Sequence, residues 1–278
     1  MIFGPRIELK TPAELATMRR AGLVTRAALD AARDAAVPGA TTAEVDAAAE
    51  AAILAAGATS NFKGYQGFPA VLCISVNDEI VHGIPGDRVL AAGDLVSIDG
   101  GAIVEGFHGD SAFTMIVGGD EAGTEADRAL SAATEAAMWA GIAAFATGAK
   151  VSDIGDAIDD CVTEIAPDLG LVEEFTGHGI GTAMHMAPEV LNYRAKSNGP
   201  KIRSGMCLAI EPMLTAGNPE TRTLADDWTV VTADGSRASH WEHSVARHDG
   251  GVWVLTAADG GAAGLAPYGI VPVPPVAG

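Results

Sequence analysis

Hydrophobic and polar positions change period three times along this chain. Residues 11–57 carry alanine, leucine and charge at helical spacing. Thr11-Pro12-Ala13-Glu14 reads as a capping box with proline at the first helical position, and Val37-Pro38-Gly39 as the stop. A second box, Thr41 to Glu44, opens a helix that ends near Gly57. From 58 to 118 β-branched residues and glycine dominate, with strand-like runs at 70–76, 94–99 and 110–117. Helical spacing returns at 125–146, with Thr124 as cap, and at 153–166, with Ser152 as cap. Strands follow from 171, and 187–192 is the one further helical candidate before 250. Residues 257–278 are rich in Gly, Ala and Pro and read as a flexible tail behind a single unit, 1–256.

Helices, strands, helices, strands is the order of a duplicated α+β half, not of βαβ units. One echo supports this. Gly93-Asp94-Leu95-Val96-Ser97-Ile98-Asp99 resembles Gly205-Met206-Cys207-Leu208-Ala209-Ile210-Glu211, and each ends a buried strand on an acid.

Composition narrows the class. With 278 residues, 48% of them hydrophobic, one large domain can build its own core. A net charge of −19 argues against general binding to nucleic acid or anionic membrane. Cys73, Cys161 and Cys207 are odd in number and irregular in spacing, so they predict free thiols in a reducing compartment. MIFGPRIELK has no secretory pattern, no run of about twenty apolar residues suggests a membrane span, and a cytoplasmic protein is expected.

The chemistry begins at IDGGAIVEGFHGDSAFTM, residues 98–115. Asp99 and Asp110 stand eleven residues apart among apolar and glycine neighbours, where a carboxylate is costly unless compensated. A hairpin turning near Val104-Glu105-Gly106 would place Asp99 directly opposite Asp110, on one face of the sheet. Two carboxylates so close need a shared proton or a cation between them. Asp99-Gly100-Gly101 lacks the Asp-Thr-Gly or Asp-Ser-Gly signature of the first solution, which favours a divalent metal. Further donors are available. Glu211 ends the echoing strand, Glu242 lies in HWEHSV, and His178 is flanked by glycines in TGHGIG. His185 follows seven residues later, and His82 lies in NDEIVHGIP. A single histidine beside glycines is more often a loop residue, and a single acid at a strand end more often a cap. Together, four carboxylates and one imidazole form an oxygen-rich set suited to Mn(II), Fe(II) or Co(II), and able to hold Zn(II).

Five blocks carry a resemblance: VNDEIVHGIPG, SIDGGAIVEGFHGDSAFTMIVG, TGHGIGTAMH, LAIEPM and WEHSV, in order between about residues 8 and 256. The chain resembles the bacterial type I methionine aminopeptidases. The resemblance implies an α+β pita-bread fold, two pseudo-twofold-related halves whose curved antiparallel sheet is covered by helices. It implies two divalent metal ions (Co, Mn, Fe or Zn), with Asp110 and Glu242 bridging, Asp99 on the second, and His178 and Glu211 on the first. It further implies hydrolysis by a metal-bridging water or hydroxide, with Glu211 as proton shuttle, His185 on the substrate amide and His82 near the leaving group. The free amine of the substrate would lie near Asp99. By position, Phe62, Tyr65, Phe68, Cys73, Met184 and Trp228 would line a small pocket for the methionine side chain, although ordinary core packing is the plain alternative for each. Three departures bear on that pocket and its surroundings: Met184 stands where phenylalanine is frequent, Phe62 where cysteine is common, and Met186-Ala187 where acids are frequent. The implied partners are peptides with N-terminal methionine and nascent chains, with transient ribosome contact. Lys196, Lys201 and Arg203 are the one basic cluster available for rRNA, with a solvated loop the plainer reading. No specific DNA partner, no membrane partner and a monomer are expected. Two rivals remain. A prolidase or Xaa-Pro aminopeptidase shares the five ligands but carries an added N-terminal domain, for which the 98 residues before Asp99 leave no room. A non-catalytic pita-bread binding protein would have lost ligands that are present here.

Overall fold

The computed structural model describes residues 6–196 and 199–275. Both N-terminal capping boxes form. Thr11 accepts from the Glu14 N–H while the Glu14 carboxylate accepts from the Thr11 N–H at 2.7 Å, opening α1 (Pro12–Ala35). Thr41 and Glu44 repeat this for α2 (Thr42–Ala55), and Thr124 with Asp127 for α3 (Glu125–Thr147). In α4 (Ser152–Ile165) the expected cap moves. Val151 occupies the cap position with helical dihedrals, so Ser152 already lies inside the first turn. The Asp153 carboxylate instead reaches back to accept from the N–H groups of Ala149 and Lys150.

Seven segments form the frame of the site. They are β1 (Leu72–Val76), β2 (Leu95–Val104), β3 (Phe107–Ile116), β4 (Gly177–Gly179), β5 (Met186–Val190), β6 (Cys207–Ile210) and β7 (Glu242–His248). Among the described residues they belong to a nine-stranded sheet in the order Thr59–Ser60, β2, β3, β7, β6, β4, β5. β1 also pairs with β2, and Gly251–Val254 with β7. Residues 186–190 are therefore a strand, where 187–192 had read as helical. They pair antiparallel with β4, and this long-range ladder overrides the local spacing.

The helices pack on one face of this sheet. Leu29, Ala32 and Ile53 of α1 and α2 bury Ile74, Val96, Ile98 and Phe113. Met138, Ile142 and Phe145 of α3, with Ile154 and Ile158 of α4, bury Leu208, Ile210 and Val245. α3 is long and apolar enough to cross a membrane by length and composition alone, yet it carries four charged residues and is a core helix of the second half. At Gly109, α1 crosses so closely that an added Cβ would meet the Ala21–Gly22 backbone at 2.8–2.9 Å. The internal echo is also structural: Gly93 and Gly205 both adopt φ +88°, each two residues ahead of its strand.

Residues 257–275 do not form a free tail. Leu265, in a helical turn at Ala262–Leu265, is fully buried in the core beneath α3. Val273 O pairs with His248 Nε2 at 2.7 Å. Arg19 donates to the carbonyls of Val254, Leu255, Ala257 and Ala258, tying the start of this segment to α1.

Candidate metal centre

Sheet register brings the candidate ligands to one face. β2 and β3 form a hairpin in which Val104 faces Phe107 across a two-residue turn, Glu105-Gly106. Both turn residues have positive φ (49° and 80°), as the tight primed turns of hairpins require. This register corrects the expected direct opposition of the aspartates. Asp99 faces Ala112, and Asp110 faces Gly101. The two acids are diagonal neighbours and still share a face. Ala112 in turn faces Glu242 on β7. Ser244, two residues on, faces Ala209 of β6, which faces His178 of β4. Glu211 follows β6 by one residue. Thus Asp99, Asp110, Glu242, Glu211 and His178 converge on the face that the helices leave free.

The local chemistry fits a cation. Asp110 and Glu242 are 3% and 2% exposed. One oxygen each of Asp99, Asp110, Glu211 and Glu242 is buried without a hydrogen-bond donor, a state that costs free energy unless something positive compensates it. Burial pushes the Asp99 carboxyl up to about 8. Burial first, then Asp99 and Glu211, raises Asp110 well above the carboxylate range, and burial with Asp110, Glu211 and Asp99 does the same to Glu242. Glu211 is raised by burial and by Asp99. His178 is pushed down to about 3 by burial and by His185, so its imidazole is neutral. Its Nδ1 lies 3.1 Å from the Gly179 carbonyl, which can only accept, so the proton sits on Nδ1 and Nε2 presents a bare lone pair. Donor atoms of Asp110, His178 and Glu242 all lie within 4.8 Å of one another. Neutral imidazole plus hard carboxylate oxygens is a donor set for a divalent first-row ion.

A cavity of about 250 Å³ opens beside this cluster. Phe62, Tyr65, Phe68, Cys73, Met184 and Trp228 all line it, together with His82, His185 and the five acid and histidine candidates. Phe68 meets Trp228 edge-on at 5.0 Å, and Phe62 at 6.4 Å. Cys73 faces Asp99 directly across β1 and β2, which joins the apolar pocket to the acidic face. Burial, reinforced by Asp99 and Asp110, pushes its thiol well up. His185 stacks edge-on with His178 at 4.4 Å, and its Nδ1 is hydrogen-bonded to the Tyr65 hydroxyl at 2.8 Å. His82 takes a left-handed backbone, φ 61°, one residue past Glu79–Val81, and packs edge-on against Phe175 and Trp228. Burial, then His185, pushes it down to about 4.

Sequence reasoning did not single out Gln66, Phe175 or His240, all of which line cavities at this centre. His240 stands inside the quoted HWEHSV block, next but one to Glu242, and Phe175 lies three residues before His178, so proximity to a ligand was their available signal.

The sequence matches metallopeptidase family M24 over residues 16–249. It is 48% identical over 252 residues to methionine aminopeptidase 1 of Mycobacterium tuberculosis, covering 89% of this chain and 94% of that protein. A crystal structure of methionine aminopeptidase from Thermotoga maritima superposes with a TM-score of 0.85 at 35% identity, covering 90% of this chain and 99% of that one. Prolidase from Pyrococcus furiosus shares the fold at a TM-score of 0.71 and 21% identity, covering 90% of this chain and 65% of its own. The architecture is the α+β pita-bread fold common to these neighbours.

Proposed function

The chain belongs to metallopeptidase family M24, and from that premise we propose that it is a metal-dependent aminopeptidase releasing methionine from the N-terminus of peptides and nascent chains whose second residue is small. The observation that carries this reading is the contact between an apolar, aromatic-walled pocket and a face of undercompensated carboxylates, joined at Cys73 and Asp99. Near-complete alignment with a methionine aminopeptidase at 48% identity supports the same substrate.

Asp99, Asp110, His178, Glu211 and Glu242 would hold two divalent ions, with Asp110, His178 and Glu242 already close enough to share one. When bound, the ions supply Lewis acidity to the attacking water and to the scissile carbonyl. The chain's own residues do the rest. Glu211 takes the proton of the attacking water and delivers it to the leaving amine. His185, steadied by Tyr65, donates to the substrate amide and stabilises the developing oxyanion. His82, held edge-on by Phe175 and Trp228, positions the peptide at the leaving group. Phe62, Phe68, Met184 and Trp228 close around the methionine side chain and exclude water from it. The free α-amine would lie at the metal position held by Asp99, which restricts cleavage to the first peptide bond. The setting is the cytoplasm, where nascent chains emerge.

Titration of chelator-stripped protein with Mn(II) or Co(II), followed by calorimetry and by methionine release from Met-Ala-Ser, tests the proposal. Two equivalents bound per chain, with release following occupancy, are expected. Stoichiometric binding without methionine release would refute it.

A further inference from the structure

We infer that His240 is a positioning residue for Glu211, holding the carboxylate oxygen that faces away from the metal ligands. This rests on the reading of Glu211 given above and adds a residue outside the five-ligand set. The two oxygens of Glu211 face two different imidazoles. Oε1 lies 3.3 Å from His178 Nε2, and Oε2 lies 3.9 Å from His240 Nε2. His240 is 2% exposed and its Nε2 is buried without a partner. A buried ring nitrogen in that state has a strong incentive to find a hydrogen-bond partner, and with the proton on Nε2 the acceptor beside it is Glu211 Oε2.

The backbone of His240 is fixed from the strands that carry the aspartates. Its N–H is shared between Ser97 Oγ at 3.1 Å and Thr114 Oγ1 at 3.0 Å, and its carbonyl accepts from Thr114 Oγ1 at 2.9 Å. Ser97 lies two residues before Asp99 on β2, and Thr114 four after Asp110 on β3, so both share the acidic face. The imidazole is thereby registered to Asp99 and Asp110 while it reaches toward Glu211. A distance of 3.9 Å is too long for a hydrogen bond. A small rotation of the Glu211 side chain, as Oε1 turns to a cation beside His178, closes it. Nε2–H then donates to Oε2. Two consequences follow. Glu211 is held in one rotamer, and Oε2 is kept aligned for proton transfer at the reacting centre. The ring also lines the second cavity at this centre, about 280 Å³, with His82 and Phe175.

The test compares His240→Leu, which removes the donor at similar bulk, with His240→Gln, which returns an N–H donor at similar reach. Each is read by kcat and KM on Met-Ala-Ser, by Co(II) affinity, and by the visible spectrum of the Co(II)-loaded protein. His240→Leu is expected to lower kcat by about 10–100-fold with KM within about threefold, to weaken Co(II) binding by about tenfold, and to shift the Co(II) bands. His240→Gln is expected to restore all of these to within about threefold of the parent. Should His240→Leu not fold, His240→Asn, whose amide falls short of Glu211, takes its place with the same expectation. Parent-like kcat and Co(II) affinity in His240→Leu or His240→Asn would overturn the inference, as would His240→Gln failing as badly as the variant without a reaching donor. If the parent itself binds Co(II) but releases no methionine, the aminopeptidase reading fails, a result distinct from parent-like behaviour of the variants.

Discussion

His178 Nε2 and Glu211 Oε1 lie 3.3 Å apart, and no hydrogen bond joins them. The His178 proton is on Nδ1, so Nε2 offers a lone pair across that gap, and the raised Glu211 carboxyl keeps its proton when no cation is bound. A divalent cation would replace that proton and bind both atoms. Glu211 therefore carries two duties. Glu211→Gln keeps the shape and removes the charge, and kcat on Met-Ala-Ser should fall by about 10²–10⁴-fold together with weaker Mn(II) binding. Parent-like kcat in a folded Glu211→Gln protein would show that another group moves the proton.

His185 separates from the ligands in its effects. It stacks on His178 and bonds to Tyr65. His185→Ala should lower kcat by about 10²–10³-fold while metal content, read by elemental analysis, stays at the parent value. Tyr65→Phe, which only frees the ring, should cost much less. Loss of metal in His185→Ala would make it a ligand and redraw the centre.

The raised carboxyls set a pH signature. Asp99 titrates near 3.8 when unfolded and near 8 in the metal-free fold, so between those values the folded state holds the proton that the unfolded state has lost. That contribution is complete below about 3.8 and is lost as pH rises through about 8. Buried neutral histidines act oppositely: His82 and His243 are pushed down to about 4 and His240 to about 3, chiefly by burial, so their contribution is lost as pH falls below about 6.5. Between about pH 7 and 8 the unfolded histidines are mostly neutral as well, so the carboxyl effect dominates. The Tm of chelator-stripped protein should fall across that window, and saturating Mn(II) should remove the fall, because bound metal replaces the protons. Parallel Tm curves with and without Mn(II) would contradict this.

Phe68 forms the aromatic wall of the pocket, 3% exposed between Phe62 and Trp228. Phe68→Ala should raise KM for Met-Ala-Ser by roughly tenfold and narrow the difference between methionine and alanine at the first position. Steady-state assays on Met-Ala-Ser and Ala-Ala-Ser measure both. An unchanged KM would place the methionine side chain elsewhere.

Local signals were legible in the sequence, and distant ones less so. The two capping boxes at Thr11 and Thr41 depend on residues three apart and form where the spacing places them, and Thr124 caps α3 as expected. Asp99 and Asp110 stood out because each interrupts an apolar strand, and Glu211 and Glu242 because each borders one. Their register differs because the turn is centred between Glu105 and Gly106, one residue later than direct opposition of Asp99 and Asp110 requires. The pairing shifted by two residues, which preserves the face, whereas a shift of one would have sent Asp110 to the helices. His240 escaped notice because its role arises from Ser97 and Thr114, more than a hundred residues earlier in the chain. Leu265 was hidden in the same way, since the composition of its neighbours masks one anchoring side chain.

The most direct test of the central claim is amino-acid release from Met-Ala-Ser and Ala-Pro-Ser by chelator-stripped protein, before and after Co(II), Mn(II) or Fe(II) is returned. The account predicts methionine release from the first peptide only, and only with metal. Alanine release from Ala-Pro-Ser would contradict it in favour of an Xaa-Pro peptidase, and no release from either peptide by folded, metal-loaded protein would contradict it in favour of a binding protein.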